Sequence, residues 1–223
     1  MRPTIHPCPP AGVIFDMDGV LCDTRMFHFQ AFQELCLRSG RTLSEEEFRP
    51  LFGMGNGELI PKLFGDSIAP QFVREYADWK EARYRQLIGG RVEPMPGVRG
   101  LVHRLKGMGL PAAVASSAPR ANVEQILEGA GLREFFQAVL AQEDVSRHKP
   151  DPEVFLAAAD RLQLDPRTVW VLEDSHHGIQ AGRAAGMTVL AVASTHEASQ
   201  LSSADGVFSS VAEILELLES SVD

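Results

Sequence analysis

An α/β fold, a doubly wound parallel sheet interrupted by an inserted all-helical domain, is what this sequence predicts, and three observations predict it. Beyond Leu110, short apolar runs at 111–116, 136–141, 168–172 and 187–193 alternate with helix-forming stretches at 122–130, 152–162 and 178–185, the alternation of β-α-β units. The stretch from about Arg25 to Arg91 looks different, with no convincing strand and several amphipathic helix candidates. At 223 residues the chain exceeds the usual single-domain size, so one large domain with a smaller insertion is the natural expectation.

Met1 to Gly12 is proline-rich and lacks an apolar central segment, so 1–12 reads as a flexible tail rather than a signal peptide. Val13-Ile14-Phe15 then forms the opening strand and delivers Asp16-Met17-Asp18 into a turn at Gly19. Side chains two residues apart on a strand point to the same side, so Asp16 and Asp18 can converge on one centre while Met17 faces away. A calcium loop would need a ligand two residues beyond Asp18, a glycine next and a closing glutamate, where Val20, Leu21 and Phe27 stand. That reading fails.

Within the insertion, 26–37, 44–51 and 70–87 are the helix candidates, and Phe52-Gly53-Met54-Gly55-Asn56-Gly57 is a glycine-rich loop without dinucleotide spacing or a preceding strand. Pro94-Met95-Pro96-Gly97 punctuates the return to the main domain, followed by a helix over 98–108. The boundaries are therefore 1–12 for the tail, 13–24 and 95–223 for the α/β core, and 25–94 for the helical insertion. Gly131 and Gly186 stand where later helices would end.

Three further elements can carry chemistry. Ser116 ends an apolar strand just before a helix beginning near Pro119, where amide donors and partial positive charge suit an anion, although a serine there is also an ordinary helix cap. Lys149, in His148-Lys149-Pro150-Asp151-Pro152, is a point charge in an extended loop, either solvated or able to neutralise a phosphoryl group or carboxylate. Glu173-Asp174 follows the strand 169–172, adding two acids to the sheet edge where Asp16 and Ser116 also fall. Carboxylates so crowded repel by roughly 4 kcal/mol per pair at about 4 Å and an effective dielectric near 20, which calls for a divalent cation. All-oxygen ligation favours Mg2+ over zinc, and His176 and His177 read as helix-start or surface residues.

Composition excludes several classes. The chain is 44% hydrophobic and 23% charged, with no apolar run near the ~20 residues of a membrane span. A net charge of -9, from 30 acidic and 21 basic residues, argues against a nucleic-acid partner. Cys8, Cys22 and Cys36 lack metal-type spacing and suit free thiols in a reducing, cytoplasmic compartment. A soluble monomer without a membrane partner is expected.

Asp16-Met17-Asp18-Gly19-Val20-Leu21, Ser116, Lys149-Pro150 and Glu173-Asp174-Ser175, in that order, resemble the four motifs of the haloacid dehalogenase-like (HAD) superfamily, in the β-phosphoglucomutase-like phosphatase branch. The resemblance implies a Rossmann-like catalytic core with a helical cap domain at 25–94. It implies an Mg2+-dependent phosphatase acting on a small phosphorylated metabolite, a sugar phosphate among the candidates, through an aspartyl phosphate. Asp16 would be the nucleophile and Asp18 the general acid and base. Ser116 and Lys149 would grip the phosphoryl group, and Mg2+ would be held by Asp16, Asp174 and the Asp18 carbonyl, with Glu173 as ligand or support. True dehalogenases have no second acid at the Asp18 position. His28, Asn56 and Lys80 match cap positions that face substrate, although His28 and Lys80 also fit a solvated helix face. Asn56 replaces the arginine with which the mutase holds a second phosphate, which tilts the reading from phosphosugar mutase to hydrolase. A phosphoacceptor signalling domain is a further alternative, weakened by the insertion and by Asp18.

Overall fold

Gly12 to Phe15 is apolar without polar alternation, the pattern of a strand covered on both faces. In the computed structural model, which describes residues 9–90 and 92–220, this stretch forms β1 (Gly12–Phe15), buried throughout. Helices α1 (Arg25–Arg38), α2 (Glu45–Phe48), α3 (Asn56–Phe64) and α4 (Pro70–Ile88) follow, then α5 (Val98–Met108). The rest alternates: β2 (Ala112–Ala115), α6 (Arg120–Gly129), β3 (Ala138–Leu140), α7 (Glu153–Leu162), β4 (Val169–Glu173), α8 (His176–Ala184), β5 (Thr188–Val192), β6 (Gly206–Phe208) and α9 (Val211–Ser220). By backbone contacts the chain divides into two units, one running through Asp23 and resuming at Val92, the other beginning at Thr24.

In the first unit the strands form one sheet in the order β3-β2-β1-β4-β5-β6, each neighbouring pair parallel. The chain works outward from β1 through β2 to β3, then returns to the other side of β1 with β4, so connections diverge between β1 and β4. That switch point is where open α/β sheets leave a crevice at the carboxyl ends of their strands. Alternate residues Ala113, Ala115, Val169, Val171, Val189 and Ala191 form a core with Phe155 and Ala158 of α7 and Ile179 of α8. The intervening Ala112, Val114, Trp170, Leu172 and Leu190 are also buried, so both faces are covered. Residues 1–8 of the expected tail, including Cys8, lie outside the described residues. Ala11 already donates its N–H to the Thr168 carbonyl at 2.8 Å, and β1 begins at Gly12.

The second unit builds its own core from Phe29, Phe32, Leu35 and Cys36 of α1, Leu43, Phe48 of α2, and Leu59 and Ile60 of α3. Ser44 and Glu47 form a reciprocal capping box that starts α2, whose chain continues as a 3-10 turn over Arg49–Leu51. Arg83 of α4 donates to both carboxylate oxygens of Glu34 in α1, at 2.7 and 2.9 Å. Asn56, expected within a loop, is instead the first residue of α3. Its two flanking glycines obscure the helix, but Leu59, Ile60 and Leu63 supply the apolar side that packs on this core. Among the described residues no helix is long and apolar enough to cross a membrane.

Gly97 and Gly109 flank α5 with φ of 90° and 69°, and they differ in surroundings. A Cβ on Gly97 would lie 2.3 Å from the Ala212 nitrogen, whereas one on Gly109 would meet nothing within 4 Å. Both alanine variants carry the left-handed penalty, but only Gly97→Ala must also displace backbone. Gly109→Ala is expected to destabilise by about 1–2 kcal/mol and Gly97→Ala by about 2–5 kcal/mol, as measured by urea denaturation.

Candidate functional site

Asp16 is the first residue beyond β1, its N–H given to the Leu172 carbonyl of β4 at 2.9 Å. The chain then turns tightly: Gly19 donates to the Cys22 carbonyl at 2.8 Å and Leu21 to the Met17 carbonyl at 2.9 Å. Gly19 has φ 79°, and a Cβ there would lie 2.1 Å from Asp174 Oδ2, so both the turn and the approach of Asp174 require glycine. Glu173 ends β4 and Asp174 follows it, beside β1 in the parallel register that pairs Phe15 with Leu172. Asp16, Glu173 and Asp174 thereby converge, with one oxygen from each within 4.8 Å of the others.

Lys149 organises this cluster. Its Nζ donates to Asp16 Oδ1 at 2.6 Å, Glu173 Oε1 at 2.7 Å and the Ala115 carbonyl at 3.0 Å, so all three ammonium protons are engaged. The solvated alternative for this lysine is excluded by its burial, with 6% of the side chain exposed. Glu173 uses its other oxygen, Oε2, to accept from the Asp174 and Ser175 amides and the Ser175 hydroxyl, each at 2.9 Å. Ser116 follows β2, buried, its N–H on the Leu140 carbonyl and its Oγ accepting the Ala118 amide at 3.1 Å. That bond leaves the hydroxyl proton for another acceptor.

Electrostatics show what the cluster lacks. Burial raises Asp16 to about 7 from its ordinary 3.8, with Lys149 opposing and Glu173 and Asp18 adding to the rise. Burial likewise lifts Asp174 well above its usual range, helped by Glu173 and Asp16 and opposed by a hydrogen bond from Thr195. Burial would lower Lys149, yet the charges of Asp16 and Glu173 outweigh it and raise it. One ammonium among these acids leaves negative charge uncompensated in a buried place. An all-oxygen set of this kind fits a hard divalent cation such as Mg2+.

The loop after β5 also reaches the site, and no motif in the sequence marks it. Ser194 Oγ donates to the Gly19 carbonyl at 2.6 Å, and Thr195 Oγ1 lies 2.5 Å from Asp174 Oδ2. Position is the available signal, since these are polar residues just past the carboxyl end of a buried strand. His176 and His177 begin α8 as expected, with Ser175 as the cap that accepts from the Gly178 amide.

In the helical unit, His28, Asn56 and Lys80 come together around Glu81, a residue that no sequence pattern singles out. Lys80 Nζ lies 2.8 Å from Glu81 Oε1 and 2.7 Å from His28 Nδ1, and Asn56 Nδ2 donates to the same Glu81 oxygen at 2.7 Å. An ammonium can only donate, so His28 Nδ1 accepts. Lys80 is 2% exposed and sits 4.8 Å from the Phe32 ring, which excludes a solvated helix face for it. Burial pushes Glu81 up, but the charge of Lys80 and the hydrogen bonds from Lys80 and Asn56 hold it down at about 2.

Comparison with known proteins agrees with this geometry. The family described as haloacid dehalogenase-like hydrolase matches residues 13–192. Fructose-1-phosphate phosphatase YqaB of Escherichia coli (strain K12) is 35% identical over 182 residues, covering 82% of this chain and 96% of that protein. The bifunctional riboflavin kinase/FMN phosphatase of Arabidopsis thaliana is 32% identical over 207 residues and 91% of this chain, which spans only 54% of that longer protein. The crystal structure of CbbY from Rhodobacter sphaeroides in complex with phosphate superposes with a TM-score of 0.83 at 27% identity, covering 92% of this chain and 96% of that one.

Because Asp16 binds its proton more tightly folded than unfolded, its contribution to stability is present below about pH 4 and is lost as pH rises to about 7. In EDTA, Asp16→Asn is expected to melt above the native chain near pH 8. The gap should shrink towards about pH 4. Melting curves across that range check it, and a gap independent of pH would contradict the assignment.

Proposed function

The chain belongs to the haloacid dehalogenase-like hydrolase family, and from that premise we propose that it is an Mg2+-dependent phosphatase of small phosphorylated metabolites, sugar phosphates foremost. The observation that carries this reading is the buried convergence of Asp16, Glu173 and Asp174 at the sheet's switch point, Lys149 pairing with the first two, with a second acid, Asp18, two residues from Asp16. The phosphatase names of the relatives above support the same class.

In this reading Asp16 attacks phosphorus, forming an O–P bond as the bond to the leaving oxygen breaks. Asp18 gives a proton to that oxygen, so a neutral alcohol departs. The aspartyl phosphate on Asp16 is then cleaved by water, whose proton Asp18 takes back, releasing phosphate and restoring the carboxylate. Lys149 and the Ser116 hydroxyl hold phosphoryl oxygens in line, an incoming oxygen replacing one of the acceptors that Lys149 now serves. Asp16, Asp174 and the Asp18 carbonyl are the groups that would hold the cation, which when bound supplies neutralisation of phosphoryl charge. Glu173, both oxygens already accepting, supports Lys149 and the Asp174 turn.

We assign His28, Asn56 and Lys80 to substrate choice, with Asn56 lacking the charge that a second phosphate would need. This favours hydrolysis of a monophosphate over the mutase alternative. The buried free thiols of Cys22 and Cys36 suit a reducing cytoplasm.

Phosphate release from a panel of sugar and other metabolite phosphates should require Mg2+ and stop with EDTA. Asp16→Asn should abolish turnover, and Asp18→Asn should slow it by about 10²–10⁴-fold. A sugar phosphate isomerised without free phosphate would replace the hydrolase with the mutase.

A further inference from the structure

We infer that Thr195 is a positioning residue, whose hydroxyl holds the Asp174 carboxylate in place and thereby sets the protein's affinity for its divalent cation. The inference rests on the proposed metal site and adds a residue from a different loop to it. Thr195 Oγ1 is 2.5 Å from Asp174 Oδ2, the short range of a hydroxyl donating to a carboxylate.

The direction of that bond follows from its neighbour. His196 Nδ1 lies 3.1 Å from the Asp174 carbonyl and 2.9 Å from Thr195 Oγ1. A carbonyl oxygen can only accept, so the proton of His196 sits on Nδ1 and is shared with Thr195. The Thr195 oxygen is thus a receiver on its His196 side, and its own proton goes to Asp174, where the carboxylate oxygen at 2.5 Å is the nearer acceptor and the backbone carbonyl at 3.2 Å the farther. The loop itself is anchored, because Ser194 Oγ donates to the Gly19 carbonyl at 2.6 Å and Ala193 N–H donates to the Phe208 carbonyl at 2.8 Å.

Asp174 is otherwise a short side chain beyond a strand end, with torsions that cation binding would have to freeze. Thr195 fixes its rotation when the protein folds, so the ligand is oriented before the cation arrives. Hydrogen-bond partners of metal-binding carboxylates act in this way, and their loss typically weakens binding by about 10–100-fold.

The test is calorimetric titration of Mg2+ alone into the full chain, as native protein, Thr195→Val and Thr195→Ser, each first shown folded by circular dichroism and melting. Thr195→Val keeps the shape and loses the donor; its Mg2+ dissociation constant is expected to rise at least about tenfold. Thr195→Ser keeps the donor and is expected to stay near the native value. Native affinity in Thr195→Val, or equal weakening in both variants, would overturn the inference while leaving the metal site standing. A Thr195→Val that melts lower but binds Mg2+ normally would do the same, by making the contact structural. No Mg2+ binding to the native chain would overturn the metal site and this inference together.

Discussion

The ammonium of Lys149 lies between Asp16 and Glu173 with a third proton on the Ala115 carbonyl, and the buried acid cluster of the first unit depends on that placement. Two carboxylates about 4 Å apart repel by roughly 4 kcal/mol at an effective dielectric near 20. A buried lysine turns one such repulsion into two attractions, while removing one partner from a buried pair costs about 3–5 kcal/mol. Lys149 does not, however, neutralise Asp174 as well. Burial, with the neighbouring carboxylates adding to it, raises both Asp16 and Asp174, and a buried all-oxygen set with one ammonium among three acids suits the site to a cation.

The sheet order explains why these groups meet. With β1 central and β4 beside it, residues after both strands emerge on the same edge, and β2 brings Ser116 out next to them. Full burial of β1, β2 and β4 makes the strand ends rigid supports, so the acids sit at fixed heights above an apolar layer. Gly19 lets the chain turn away at once, leaving space for Asp174.

The helical unit uses a buried lysine differently. Lys80 faces Glu81 as its close carboxylate, with His28 and Asn56 completing the set, and Glu81 falls to about 2 instead of rising. Here one buried ammonium faces one buried carboxylate, where the first unit sets one ammonium among three acids.

Much of this architecture is legible in the amino-acid sequence. Five strands fall where apolar runs do, and α5 spans the expected 98–108, because core strands and amphipathic helices are written in local patterns. Three elements are not legible in that way. β6 is three residues long, too short for periodicity to register; α9 carries no motif or glycine boundary that sets it apart; and α3 hides behind the glycines around Asn56. Asp16, Asp18, Ser116, Glu173 and Asp174 are candidates in the sequence because they lie at or just past strand ends, and Lys149 because it lies in a proline-bounded loop ahead of a helix, which are local features. What only the tertiary structure decided is which oxygen each acid turns to which donor. Lys149 meets Asp16 across 133 positions of chain, and Thr195 meets Asp174 across 21. Such partners are set by strand register and loop packing, and no local pattern in the sequence encodes a distance between residues that far apart.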